Sequence, residues 1–140
     1  MGKKRATDYE RLLANKLWDN GFAVIRAPSS SGTAKMPRPD IFAGSAKYNL
    51  LLAMEVKTAR QETFYVKKTQ LESLLEFSSR MGATPYLCVK FVGKRMDFKF
   101  LKIPEELDES TGESYIVNYE KIFDKGMTFN DLMAFVKKEE

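Results

Sequence analysis

The sequence predicts a single α/β domain built on one central mixed β-sheet with helices flanking it. Three observations predict it. The 140 residues are 44% hydrophobic and 30% charged, which suits one buried core under a soluble surface. No repeat or low-complexity linker divides the chain, so residues 1–140 form one domain. The hydrophobic patterns run helix, three strands, helix, two strands, short helix, and a lone helix between strand runs implies a mixed sheet covered on both faces.

Each element has its own signal. Residues 1–6 are a basic, loose arm. Thr7-Asp8-Tyr9-Glu10 fits a capping box, and Tyr9, Leu12, Leu13, Lys16 and Leu17 follow at helical spacing until Asn20-Gly21. Residues 22–26 read as a strand, and 27–39, with three prolines, three serines and a glycine, as a loop. Residues 41–44 form a short strand and 49–57 a longer apolar one. The helix over 67–81 carries Leu71, Leu74, Leu75, Phe77 and Met81 over an arc wider than the ~100° stripe of a one-sided helix, so it needs two packing partners. Residues 84–91 read as a buried strand. Met96, Phe98 and Phe100 alternate with Asp97 and Lys99, the pattern of a half-exposed strand. Residues 103–112 are acidic and loop-like, and the acidic portion 103–140 ends in a short helix opened by Thr128-Phe129-Asn130-Asp131.

Composition excludes much chemistry. With no histidine and one cysteine, Cys88, there is no Ser-His-Asp or Cys-His catalysis, no zinc site of His or Cys ligands and no internal disulfide. Cys88 reads as a small core residue, compatible with a reducing cytoplasm. A metal would sit among oxygens, favouring Mg²⁺, Mn²⁺ or Ca²⁺. No Gly-rich phosphate loop is present, so a nucleotide cofactor has no support. The longest apolar run, five residues at 50–54, is far short of the ~20 that span a bilayer, so no membrane role is expected. Residues 1–100 hold eighteen basic and nine acidic side chains, and residues 101–140 five and ten. A basic body with an acidic end suits an anionic polymer docked on one side, although a solvated charged surface has the same composition.

The chemistry concentrates in Pro39-Asp40 and Glu55-Val56-Lys57. Asp40 stands at the start of one strand, and Glu55 and Lys57 near the end of the next. Period-2 geometry puts the latter two on one face, roughly 6.6 Å apart. Two carboxylates from adjacent strand ends can hold one divalent ion, and a lysine beside them can act on water or on a phosphate. A strand end emerging into solvent carries the same residues without function.

These residues resemble the signature of PD-(D/E)xK nucleases, and the wider chain resembles the archaeal Holliday junction resolvases of that superfamily. The resemblance runs through Tyr9-Glu10-Arg11, the stretch from Gly21 to Pro28, Ser29-Ser30-Ser31-Gly32, Pro39-Asp40-Ile41, Glu55-Val56-Lys57, Phe64-Tyr65-Val66, Gln70 and Leu75-Glu76-Phe77-Ser78. It covers about residues 5–100 well and the acidic end poorly. It implies a restriction-endonuclease-like core, a homodimer and Mg²⁺-dependent (or Mn²⁺-dependent) paired cleavage of four-way DNA junctions. It also implies that Asp40, Glu55 and the Val56 carbonyl ligate the metal and that Lys57 acts on the attacking water. Glu10 would be an additional acidic site residue and a possible ligand, although its position after Thr7 equally fits a helix cap. Ser30 matches a catalytic loop serine, in a register that Ser29 or Ser31 could also fill.

Lys3, Lys4, Arg5, Arg11, Arg26, Lys35, Arg38, Arg60, Lys67 and Lys68 are the expected phosphate contacts, which position DNA without reading sequence. Leu74, Phe77 and Met81 are the expected dimer contacts. Two rival readings remain: a related nuclease acting on linear duplex or damaged DNA, and a catalytically inactive DNA-binding paralogue. The retained Asp40, Glu55 and Lys57 argue against the second.

Overall fold

A computed structural model describes residues 5–28, 36–110 and 112–138. The chain forms α1 (Ala6–Asp19), β1 (Ala23–Arg26), β2 (Ile41–Ser45), β3 (Leu50–Ala59), β4 (Thr63–Lys67), α2 (Lys68–Met81), β5 (Thr84–Phe91), β6 (Lys99–Lys102), β7 (Asp108–Glu109), β8 (Ser114–Asn118) and α3 (Phe129–Lys138). The main sheet has the order β1-β2-β3-β5-β6. Only β3 and β5 run parallel in it, so the sheet is mixed as predicted, with α2 in the crossover between them. No helix among the described residues is long and apolar enough to cross a membrane.

Strand alternation sorts the core into two layers. On one face Ile41, Ala43, Leu52, Met54, Cys88 and Phe100 meet Leu13 and Leu17 of α1 and Leu132, Met133 and Val136 of α3. On the other, Ala53, Leu87, Val89 and Leu101 meet Leu71 and Leu74 of α2. The second partner that α2's wide arc requires lies within the chain. A smaller sheet, β4-β8-β7, brings Val66 and Val117 against the same helix, and no strand was expected over 63–67 or 114–118. Leu74 is therefore buried in its own subunit at 4% exposure, which corrects its assignment to a dimer contact, whereas Met81 is 44% exposed.

Two further expectations change. The segment 96–100 is not a half-exposed strand: β6 begins at Lys99, and Phe98, Lys99 and Phe100 are all buried. The turn before α3 covers this sheet edge. Phe100 and Met127 exchange backbone hydrogen bonds of 2.8 and 3.0 Å, and Lys99 Nζ donates to the carbonyls of Phe123 and Lys125, both at 3.1 Å. The close approach requires glycine at 126, where a Cβ would stand 2.8 Å from the Phe100 carbonyl oxygen.

The start of α1 also moves. Its N-cap is Arg5, whose backbone N–H donates to Asp8 Oδ2 at 2.8 Å. Asp8 thus does the capping expected of Glu10, and Glu10 is left for another task. The cap of α3 is as predicted: Thr128 N–H donates to Asp131 Oδ2, and Asp131 N–H to Thr128 Oγ1, both at 3.1 Å.

Candidate active site

The site forms where the β2–β3 pair comes to its end. Ile41 pairs with Met54, so Asp40, one residue before the strand, stands across from Glu55. Two bonds fix it there. Its carbonyl accepts the Ala27 N–H at 3.0 Å, and its Oδ2 accepts the Val56 N–H at 2.8 Å. The second bond comes from the residue between Glu55 and Lys57. Met54 and Val56 turn into the α1-side core, so Glu55 and Lys57 share the opposite face.

Two acids in one half-buried place cannot both ionise freely. Burial first, then the negative charge of Asp40 and a hydrogen bond to its carboxylate, push the Glu55 carboxyl up from 4.5 to about 8; Lys57 pulls the other way. At neutral pH the Glu55 carboxyl therefore favours its protonated form. A divalent cation, held by Asp40, Glu55 and the Val56 carbonyl, would replace that proton and relieve the repulsion, so this donor set fits a hard cation.

Glu10 comes to the edge of this pair from the α1 side. Its side chain is 17% exposed, and its Oε1 lies 3.6 Å from Arg26 Nε. Burial, then the charge of Asp40, raises its carboxyl, and Arg26 opposes both. Among the described residues, Glu10 is not grouped with Asp40 and Glu55 as a third acidic ligand. Cys88 pairs with Val56 beneath the acids, wholly buried, with its thiol pushed well up by burial and then by Asp40 and Glu55. It is an inert core residue.

The basic residues gather at the same end of the sheet. Arg5 opens α1, Arg38 precedes Asp40, Arg60 follows β3 and Lys67 caps α2, all of them exposed. Arg5, Tyr9, Thr58 and Arg60 line one cleft of about 250 Å³. Arg11 is exposed but tied to Asp8 at 2.8 Å. Lys68 is partly committed, 3.5 Å from Glu109 and over the Tyr115 ring at 5.4 Å. Tyr65 and Gln70 are exposed on β4 and α2. Lys3, Lys4, Ser30 and Lys35 lie outside the described residues. Sequence reasoning missed the contact between Arg26 and Glu10; their separation of sixteen positions leaves no local pattern to find.

A mixed sheet with an acid pair and a lysine at adjoining strand ends, ringed by arginines, defines an α/β protein of the nuclease type. The family model for the archaeal Holliday junction resolvase (Hjc) matches residues 1–140, and the chain belongs to that family. It is 34% identical over 138 residues to the crossover junction endodeoxyribonuclease Hjc of Sulfurisphaera tokodaii, covering 98% of this chain and 91% of that protein. The Hjc of Sulfolobus acidocaldarius is 33% identical over 136 residues, covering 96% and 90%. The solved structure of Archaeoglobus fulgidus Hjc, a Holliday junction resolvase from an archaeal hyperthermophile, is similar in fold, with a TM-score of 0.78 at 28% identity, covering 91% of this chain and 98% of that one.

Proposed function

We propose that this protein is a Mg²⁺-dependent endonuclease that resolves four-way DNA junctions as a homodimer, with one Asp40–Glu55–Lys57 site per subunit. The observation that carries the reading is the Asp40–Glu55 acid pair, set side by side by the β2–β3 register with Lys57 on the same face, at the basic end of the sheet. Hydrolysis of a phosphodiester requires neutralisation of the phosphate, activation of water and alignment of the two. A divalent cation at Asp40, Glu55 and the Val56 carbonyl supplies charge to stabilise the transition state; Mn²⁺, of similar hardness, would substitute. Lys57 points to the same face and orients the attacking water or takes up its proton. Glu10 is the accessory acid. The part of Ser30 in catalysis rests on the resemblance alone. Arg5, Arg38, Arg60 and Lys67, with Lys3, Lys4 and Lys35, hold phosphates of the junction arms and set their register.

The second subunit has a fitting surface. α2 covers β3 and β5 but leaves the β1–β2 half of that sheet face open, where Ile25 pairs with Phe42 and is 67% exposed. Phe42 meets Phe77 edge-on at 5.6 Å. Beside them a groove of about 540 Å³ is lined by Met36, Phe77 and Met81, with Arg38, Arg80 and Glu76 around it. A face carrying apolar groups and both charge signs can complement its own copy about a two-fold axis. Two subunits so joined present two sites to the two-fold symmetric junction.

A labelled four-way junction and a matched linear duplex, each incubated with the protein and Mg²⁺, test the reading. Paired symmetric cuts in the junction alone are expected. Equal cutting of the duplex would favour the linear-DNA nuclease, and binding without cutting the inactive paralogue.

A further inference from the structure

Arg26 was expected to contact a phosphate, but its surroundings are those of an internal strap. It is the last residue of β1, on the face where Val24 packs against the α1-side core. Its Nη2 donates to the Thr7 carbonyl at 2.9 Å, in the first turn of α1. Its Nε is buried and, among the described residues, has no hydrogen-bond partner; the neighbouring acceptor is Glu10 Oε1 at 3.6 Å. The side chain is 32% exposed, less than Arg5, Arg38 and Arg60 at the same end of the sheet, which are all exposed.

We infer that Arg26 is a positioning residue for Glu10: its guanidinium ties the end of β1 to the helical turn bearing Glu10 and aims that carboxylate at the Asp40–Glu55 pair. The fork geometry suits the task. A guanidinium can bond a carbonyl through one nitrogen and a carboxylate through another at a fixed angle, which an ammonium cannot do. Nε is the donor nearest Glu10, 3.6 Å from its Oε1, and a closure of about 0.7 Å brings the pair to ordinary hydrogen-bond distance. The strap also reaches the acid pair by a second route. The next residue, Ala27, donates its N–H to the Asp40 carbonyl, so the end of β1 sets Asp40 and Glu10 relative to each other.

This inference rests on the resolvase reading of the same site, and one experiment separates the two. The full chain and its Arg26→Gln, Arg26→Lys, Glu10→Gln and Arg26→Gln/Glu10→Gln variants are compared on a four-way junction. Binding is measured in EDTA over a range of salt, and single-turnover cutting with Mg²⁺ at saturating protein. Arg26→Gln should bind with the wild-type affinity and salt slope, yet cut at least ~10-fold more slowly. The double variant should cut no more slowly than Glu10→Gln alone, because both changes remove the same aimed carboxylate. Arg26→Lys should restore part of the rate. A phosphate contact would instead lower the salt slope by about 0.9 and leave cutting at saturation unchanged, which would overturn the inference. Additive losses in the double variant would also overturn it. Should Arg26→Gln fail to fold, as judged by its melting curve, Arg26→Lys with and without Glu10→Gln carries the same comparison. Wild-type protein that does not cut junctions sinks the resolvase reading itself.

Discussion

Replacing Glu55 with Gln should stabilise the metal-free protein. The folded state holds a proton on Glu55 up to about pH 8, whereas an unfolded glutamate releases it near 4.5. The folded state therefore binds more protons than the unfolded one throughout that window, and stability falls as pH rises through it. Each pKa unit corresponds to about 1.4 kcal/mol, and about 2.5 units are realised at pH 7. Glu55 is partly exposed and lies beside the Asp40 carboxylate, so the realised figure is of order 2–3 kcal/mol. Gln keeps the shape, carries no charge and can donate permanently to Asp40. Urea unfolding in EDTA at several pH values should give equal stabilities for variant and wild type below about pH 4.5. The gap should widen to about 2–3 kcal/mol by neutrality, equivalent to roughly 5–10 °C in Tm. Mg²⁺ should then stabilise the wild type and leave the variant unchanged. A gap that does not vary between pH 4 and 8, or a less stable variant at pH 7, would refute the raised Glu55 carboxyl.

Other changes separate chemistry from architecture. Asp40→Asn and Lys57→Ala should each slow junction cutting at least ~10²-fold while binding in EDTA is retained, as measured by gel shift and single-turnover assay. EDTA should abolish wild-type cutting but not binding, because the affinity comes chiefly from phosphate contacts. Met81→Asp should raise the monomer fraction in sedimentation without unfolding the chain. Leu74→Ala should instead leave the assembly intact and reduce stability by about 2–5 kcal/mol in denaturant titration. Gly126→Ala, which presses a Cβ against Phe100, should reduce stability by about 1–3 kcal/mol and loosen the β6 edge in hydrogen exchange.

Much of this protein was legible before its fold was known. Helical spacing marked α1, α2 and α3, a capping box marked the start of α3, and the apolar runs marked β2, β3 and β5, because these elements draw on neighbours in the sequence. The pairing of Glu55 with Lys57 was legible for the same reason: a strand alternates at a period of two whatever surrounds it. The strands β4 and β8 were missed although Thr63-Phe64-Tyr65-Val66 and Ser114-Tyr115-Ile116-Val117 are rich in strand formers. Such short strands are stable only once paired, and their partners lie some fifty residues apart. Residues 96–100 misled for a related reason. Alternation reports exposure only when one face meets solvent, and here a distant turn covers the edge and gives Lys99 two carbonyls to bond.

By itself the sequence determined the order of the three helices and the main-sheet strands, the mixed sheet, the chemistry left to a chain without histidine, and the residue types at the site. Only the tertiary structure decided that Leu74 is interior, that Asp8 rather than Glu10 caps α1, and that Arg26 is beside Glu10. It also decided that two carboxyls fifteen positions apart stand side by side, half-buried. Local patterns follow from backbone periodicity and are written in consecutive residues. Burial, the raised Glu55 carboxyl and contacts between distant residues depend on which surfaces exclude water from one another, and no consecutive stretch encodes that.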